Sequence, residues 1–283
     1  MSGHLLSFGH GYSAQALAQL LLPMGWTVTG TTRSAEKAQK LAQSGIAAKI
    51  WPGDDLSEAL DQASHILIST APGEAGDPVL GEFRDKLESR GSDFAWVGYL
   101  STTGVYGNHD GAWVDESTAL TPATKRGAWR VAAESAWQDL AQSAGLPLHI
   151  FRLAGIYGPE RGPFAKVRAG TARRIIKPGQ VFSRIHVHDI AQTLAASIAR
   201  PNPGAIYNVC DDDPAPPQDV IGHAAELLGC PLPPEESFET ADMTPMARSF
   251  YAESKKVRND RIKQELGVTL KYPSYRDGLK AML

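Results

Sequence analysis

The chain has 283 residues, with 28 Lys and Arg against 31 Asp and Glu, a formal charge of −3 and 42% hydrophobic content. That composition suffices for a globular core, and without a broad basic field it excludes strong sequence-independent binding to nucleic acid. The most apolar early run, residues 17–26, is broken by Gln19 and Pro23 and falls far short of the ~20 residues a membrane-spanning helix needs.

Residues 4–9 are a short apolar run that stops at glycines, and they read as a buried strand. From Ser13, the residues Ala14, Leu17, Ala18 and Leu21 recur at helical spacing until Gly25 closes the segment. Residues 27–33 are rich in β-branched side chains, and Ser34 is a good N-cap for a helix over 35–44. The beat repeats with a strand at 46–51, a helix at 55–63, a strand at 65–70, a helix at 79–90 and a strand at 94–101. The clearest helix covers 129–144, where apolar residues keep a three-then-one spacing, and a strand follows at 148–154. Beyond Gly158, Pro and Gly become dense. Helices are predicted at 189–199 and 217–228 with a strand at 205–209 between them, and residues 231–234 must be extended. Alternating strands and helices predict an α/β doubly wound parallel sheet with right-handed crossovers, and the change of pattern predicts a fused lobe after Gly158.

The first strand-to-helix turn reads Gly9-His-Gly11-Tyr12-Ser-Ala14. Gly9 permits a tight turn, Gly11 lets the backbone approach a pyrophosphate, and Ala14 allows close helix packing while the helix N-terminus faces the anion. At the end of the second strand stand Thr32-Arg33-Ser34, with no carboxylate to accept from a ribose hydroxyl. Arg33 supplies a fork of donors for a 2′-phosphate, so NADP is expected in preference to NAD. With no basic start followed by a small-residue cleavage pattern, a cytoplasmic location is expected, where Cys210 and Cys230 stay reduced.

Further motifs follow in order: Ser69-Thr70-Ala71-Pro72, Ser101-Thr-Thr-Gly-Val-Tyr-Gly107, Phe151-Arg-Leu-Ala-Gly-Ile-Tyr-Gly-Pro159, Arg184-Ile-His-Val-His-Asp189 and Tyr207-Asn-Val-Cys-Asp211. With the glycine turn and the C-terminal Lys271-Tyr-Pro273, the chain resembles the extended short-chain dehydrogenases/reductases, the NAD(P)-dependent epimerase/dehydratase group. The resemblance implies a Rossmann-type nucleotide domain over 1–158, to which 184–213 return, and a substrate lobe mainly over 159–283. It places Thr70, Ala71 and Pro72 along the cofactor, Ala154, Gly155 and Ile156 near its nicotinamide end, and Arg184 at the substrate's phosphates. It puts Thr102 where relatives have a Ser or Thr that hydrogen-bonds the reacting oxygen. It also implies a homodimer through the long helix, although the same stripe is needed for packing against the chain's own sheet.

One motif departs. Where relatives carry Tyr-x-x-x-Lys, this chain has Arg126-Gly-Ala-Trp-Arg130. Arg130 keeps the charge that holds the ribose, but Arg126 cannot exchange protons. Its pKa, above ~12, would have to fall by roughly 5, about 7 kcal/mol. A fixed charge for an oxyanion or carboxylate is the role left to it.

Other polar residues read as structural. Tyr106 and Tyr157 are expected to pack, His186 to hold its loop, and Asp189 to cap the following helix. Asp211-Asp-Asp213 reads as a solvated turn and not a metal site. Lys255, Lys256 and Arg258 read as a surface run. The expected function is an oxidoreductase- or epimerase-like activity on a small carbonyl, alcohol or nucleotide-sugar substrate with an altered proton step. The alternative is a non-catalytic NADP(H) sensor.

Overall fold

The computed structural model describes residues 2–283. Along the first half run β1 (His4–Phe8), α1 (Tyr12–Leu21), β2 (Thr27–Thr32), α2 (Ala35–Gln43), β3 (Ala47–Ile50), α3 (Ser57–Gln62), β4 (His65–Ile68), α4 (Pro78–Ser89), β5 (Trp96–Thr102), β6 (Trp113–Val114), α5 (Lys125–Ala144) and β7 (Leu148–Leu153). The remainder adds β8 (Gly155–Tyr157), α6 (Phe164–Arg168), β9 (Arg174–Ile176), β10 (Arg184–His186), α7 (Val187–Ala199), β11 (Ile206–Val209), α8 (Pro217–Leu227), β12 (Glu235–Ser237), α9 (Pro245–Phe250), β13 (Lys256–Val257), α10 (Asp260–Gln264) and α11 (Tyr275–Lys280).

The protein is α/β, with a seven-stranded sheet in the order β11-β7-β5-β4-β1-β2-β3, all pairs parallel. The chain leaves β1 toward β2 on one side and returns to its other side with β4, so the strand order reverses there. Such a reversal opens a crevice at the carboxyl ends of the strands. Strand residues alternate between two core layers, as a sheet covered on both faces requires. Leu5, Val28 and Leu67 pack with α1 and α7, whereas Leu6, Ile66 and Ile68 pack with α3, α4 and α5.

Helix α5 begins at Lys125, earlier than its apolar spacing suggests, because the Thr124 side chain accepts from the Gly127 N–H at 3.1 Å. Its stripe is divided. Ala133, Trp137 and Leu140 are buried against the sheet, Trp129 lies half-buried farther up, and Ala132 is exposed. The short strands of the second half pair outside the main sheet, β8 with β10, β9 with β12 and β6 with β13. Two or three residues are too few to carry a period, so these elements left no pattern in the sequence.

A buried polar network fastens the carboxyl end of the sheet. Arg152 on β7 donates from Nη2 to Glu134 Oε2 on α5 at 2.7 Å, with side chains 4% and 1% exposed. The Ser101 hydroxyl, at the end of β5, donates to the other carboxylate oxygen of Glu134. Arg152 Nη1 donates to the Tyr106 hydroxyl at 2.9 Å, and that hydroxyl donates to Asn208 Oδ1 on β11 at 2.7 Å.

Two expectations are corrected. His186, not Asp189, caps α7: its Nδ1 accepts from the His188 N–H at 3.2 Å. Asp189 instead accepts from the N–H groups of Lys271 and Tyr272, at 2.7 and 3.0 Å, and so pins the C-terminal segment to α7. The three aspartates are not a solvated turn either. Asp211 is 1% exposed, while Asp212 pairs with Lys263 at 2.6 Å and Asp213 with Arg276 at 2.5 Å.

Removing one partner of a buried ion pair leaves the other charge unpaired. Glu134→Ala is therefore expected to lower the unfolding free energy in urea by about 3–5 kcal/mol, and Glu134→Leu combined with Arg152→Met to recover most of it. A loss below about 1 kcal/mol for the single variant would show that the pair is not what fastens these elements.

Candidate functional site

The crevice opens into a cleft of about 1740 Å³. Its wall brings together Gly9, Gly11 and Tyr12 from the first turn, Ala71 and Pro72 after β4, Thr102 from β5, Arg126 and Arg130 from α5, Ala154, Gly155 and Ile156 after β7, and Arg184 from β10.

The glycine turn has the shape of an anion cradle. Gly9 has φ +69°, and its N–H donates to Thr31 Oγ1 at 2.8 Å. A Cβ there would lie 2.9 Å from the methyl of Thr70, which stands behind the turn and outside the cleft wall. Gly11 opens α1 with no side-chain cap and no acidic residue in the first turn, and a Cβ on it would meet no heavy atom closer than 3.5 Å. The unpaired N–H groups of the helix N-terminus, with open space before them, suit a pyrophosphate. Ala14 is wholly buried under this turn. The Tyr12 hydroxyl donates to the carbonyl of Pro159 at 2.7 Å, and the Arg161 guanidinium lies 5.8 Å from its ring centroid.

Thr32, the last residue of β2, and Arg33 and Ser34 after it stand apart from the wall. Thr32 Oγ1 accepts from the Ser34 N–H, and Ser34 Oγ accepts from the Lys37 N–H, both at 3.3 Å. Arg33 is exposed and unpartnered, while Glu36 is paired with Lys40 at 2.6 Å. Beside this strand His10 is fully buried, with its ring against Gly30 and no partner for either nitrogen. Burial, aided by the charge of Lys37, brings its pKa down to about 4.

At the opposite end, Thr102 Oγ1 accepts from the Gly104 N–H at 3.1 Å, which leaves its own proton to donate. Arg130 Nη1 donates to the Leu100 carbonyl at 2.8 Å and to the Tyr99 hydroxyl at 2.9 Å. Arg126 is exposed and has no partner among the described residues, one helical turn from Arg130. Tyr106 and Tyr157 are not placed as substitute acids. Tyr106 is locked in the buried network with its pKa pushed up by burial to about 12. Tyr157 lines the cleft, but its hydroxyl donates to the Ser274 carbonyl at 3.2 Å and burial raises its pKa. Thr102, Arg126 and Arg130 can therefore hold an oxyanion with fixed donors, and none of the three exchanges its proton near neutrality.

In the lobe, Arg184 Nη1 donates to the carbonyls of Phe182 and Ala215, at 2.9 and 3.0 Å, and burial lowers its pKa. Lys255 is not a surface residue. It is buried in the cleft wall, donating to the Gly107 carbonyl at 2.7 Å and to Glu253 at 2.6 Å. Sequence reading passed over Arg161, Lys166, Met246 and Phe250, which also line the cleft. The density of Lys and Arg over 161–177 was the available signal for the first two; the apolar pair carried none.

No family model matches the chain. A solved structure described as a functionally unknown conserved protein from Silicibacter pomeroyi DSS is 63% identical, with 99% of this chain and 98% of that chain covered and a TM-score of 0.95. The chain belongs to the same family as that protein. Protein YeeZ of Escherichia coli (strain K12) is 28% identical over 281 residues, 94% of each chain. UDP-glucuronic acid 4-epimerase from Bacillus cereus, solved in complex with NAD, shares the fold, with a TM-score of 0.78 and 17% identity over 99% of this chain and 95% of that one.

The buried histidines tie stability to pH. Burial holds His10 and His149 near pKa 4, below the ordinary 6.5, so in that window the unfolded chain binds more protons than the folded one. Stability is fully present above 6.5 and is lost as pH falls toward 4, by up to about 3 kcal/mol from His10. NMR titration should find the His10 ring neutral at pH 5.5; a midpoint near 6.5 would contradict this account.

Proposed function

We propose that the chain is an NADP(H)-dependent oxidoreductase of the short-chain dehydrogenase/reductase type that handles its substrate's oxygen with fixed charge in place of a tyrosine acid. The observation that carries this reading is the single cleft in which the glycine turn faces Thr102, Arg126 and Arg130. The glycine cradle fits the cofactor's pyrophosphate: Gly9 and Gly11 leave room for it, and the N-terminus of α1 faces it. Ala71 and Pro72 would lie along the cofactor, Ala154, Gly155 and Ile156 at its nicotinamide end, and Thr32, Arg33 and Ser34 at the 2′-phosphate. When bound, the nicotinamide supplies or accepts a hydride.

The chain's own residues do the rest. Thr102 donates a hydrogen bond through its free O–H to the substrate oxygen and fixes its distance. Arg126 stabilises charge developing on that oxygen without giving up a proton, and water delivers the proton instead. Arg130, anchored by Leu100 and Tyr99, presents its remaining donors to the ribose. Arg184 would face the substrate with the donors that its two carbonyl partners leave free.

The second reading, an NADP(H) sensor without chemistry, draws on the same missing tyrosine and keeps only the cradle. A homodimer through α5 would use its exposed positions, among them Ala128, Ala132 and Ser135, since the buried stripe is occupied by the sheet. The cytoplasm is the proposed location; among the described residues no helix is long and apolar enough to cross a membrane.

Fluorescence titration should give tighter binding of NADPH than NADH, with Arg33→Ala weakening NADPH roughly tenfold and NADH little. Equal or tighter NADH binding by the wild type would refute the NADP preference. Thr102→Val should retain NADPH affinity and lose NADPH oxidation over a panel of small carbonyls. Binding without turnover in the wild type would select the sensor reading.

A further inference from the structure

Most cations in the cleft wall are already committed. Arg173 donates to Glu236 at 2.9 Å and to the Asp242 carbonyl at 2.7 Å. Lys255 is held by Glu253 and Gly107, Arg184 by two carbonyls and Arg130 by Leu100 and Tyr99. A substrate with a diphosphate group would meet Arg130 and Arg184 only through the donors their partners leave free, and Lys166 lines the same wall as an exposed amine. Arg161 stands over Tyr12, beside the pyrophosphate cradle. At the reacting end the uncommitted charge is Arg126, next to Gly127, where an added Cβ would lie 3.0 Å from the Gly104 carbonyl, within the turn that follows Thr102.

The lobe lines the same cleft with side chains that make no hydrogen bonds, Ile175, Phe182, Met243, Met246 and Phe250. Met246 and Phe250 are 52% and 62% exposed, large apolar surfaces left open to water. A sugar ring laid along them would leave its hydroxyls unpaired, whereas an aryl or alkyl body would bury both surfaces. A carboxylate matches the planar fork of an arginine.

We propose that the site takes an apolar monocarboxylate, an aryl or alkyl acid, with its carboxylate on Arg126 and its body along Phe182, Met246 and Phe250. The proposal rests on the cofactor reading in assigning the glycine end of the cleft to the dinucleotide, and it gives the fork of Arg126 to the carboxylate, leaving the reacting oxygen to Thr102.

Isothermal titration of the full-length protein, with and without saturating NADP⁺, tests it with cinnamate, cinnamyl alcohol and UDP-glucose as probes. The wild type is expected to bind cinnamate at least tenfold more tightly than the alcohol. Arg126→Gln should erase that difference while keeping its NADP⁺ affinity, and Met246→Ser with Phe250→Ser should weaken acid and alcohol alike. Tighter binding of UDP-glucose than cinnamate, a preference unchanged in Arg126→Gln, or no cinnamate binding at millimolar concentration would each overturn the proposal. Acid-selective binding that depends on Arg126 in a protein that takes up no NADP⁺ would support it while removing the cofactor reading.

Discussion

The rest of the structure depends on one topological constraint: β1 lies between β2 and β4, and the chain departs from it in one direction and returns in the other. No helix can cover the carboxyl end of the sheet at that reversal, so the turns after β1, β4, β5 and β7 are left facing a common space. A parallel sheet with its strand ends open needs something to hold those ends in register. Glu134 and Arg152 do this from α5 and β7, drawing in Ser101, Tyr106 and Asn208 from three further segments. The pair is buried and would be costly if left half-satisfied, but here the carboxylate and guanidinium each have several partners.

The network adjoins the cleft wall, because Ser101 precedes Thr102 on β5 and Glu134 lies one helical turn after Arg130 on α5. Arg130 reaches the β5 end through a carbonyl and a buried hydroxyl, so its guanidinium is positioned before any ligand arrives. Arg126, one turn closer to the helix start, has no such tie. One arginine is thus a fixed feature of the wall and the other is free to meet a ligand. A guanidinium holds its proton throughout the physiological range, so Arg126 can meet a ligand only as a fixed charge.

Charge is distributed in the same divided way. A net value of −3 describes the whole chain, while the cleft wall carries Arg126, Arg130, Arg161, Lys166, Arg173, Arg184 and Lys255 against Asp242 and Glu253. Several of these cations serve structural carbonyls and carboxylates, so the count overstates what a ligand meets. Arg173 and Lys255 are held by other residues of the chain, and the uncommitted charges, Arg126, Arg161 and Lys166 among the described residues, are fewer.

Alternation of strands and helices, the glycine turn and the fixed charges of Arg126 and Arg130 were all determined by the sequence itself. Each is a local matter of period, of the conformations a glycine admits, or of the proton affinity of a side chain. The partners of the polar residues were not determined in that way. Asp189 could cap its own helix or reach residues 271 and 272, Lys255 could be solvated or buried, and Arg184 could be free or held by carbonyls. Only the tertiary structure chose, because those partners lie between about 30 and 150 residues away along the chain, except for the two-residue contacts of Arg184 with Phe182 and Lys255 with Glu253. The short strands of the lobe and the apolar face of α9 were decided there as well, since two to six residues carry no period and acquire their role only from the surface they are folded against.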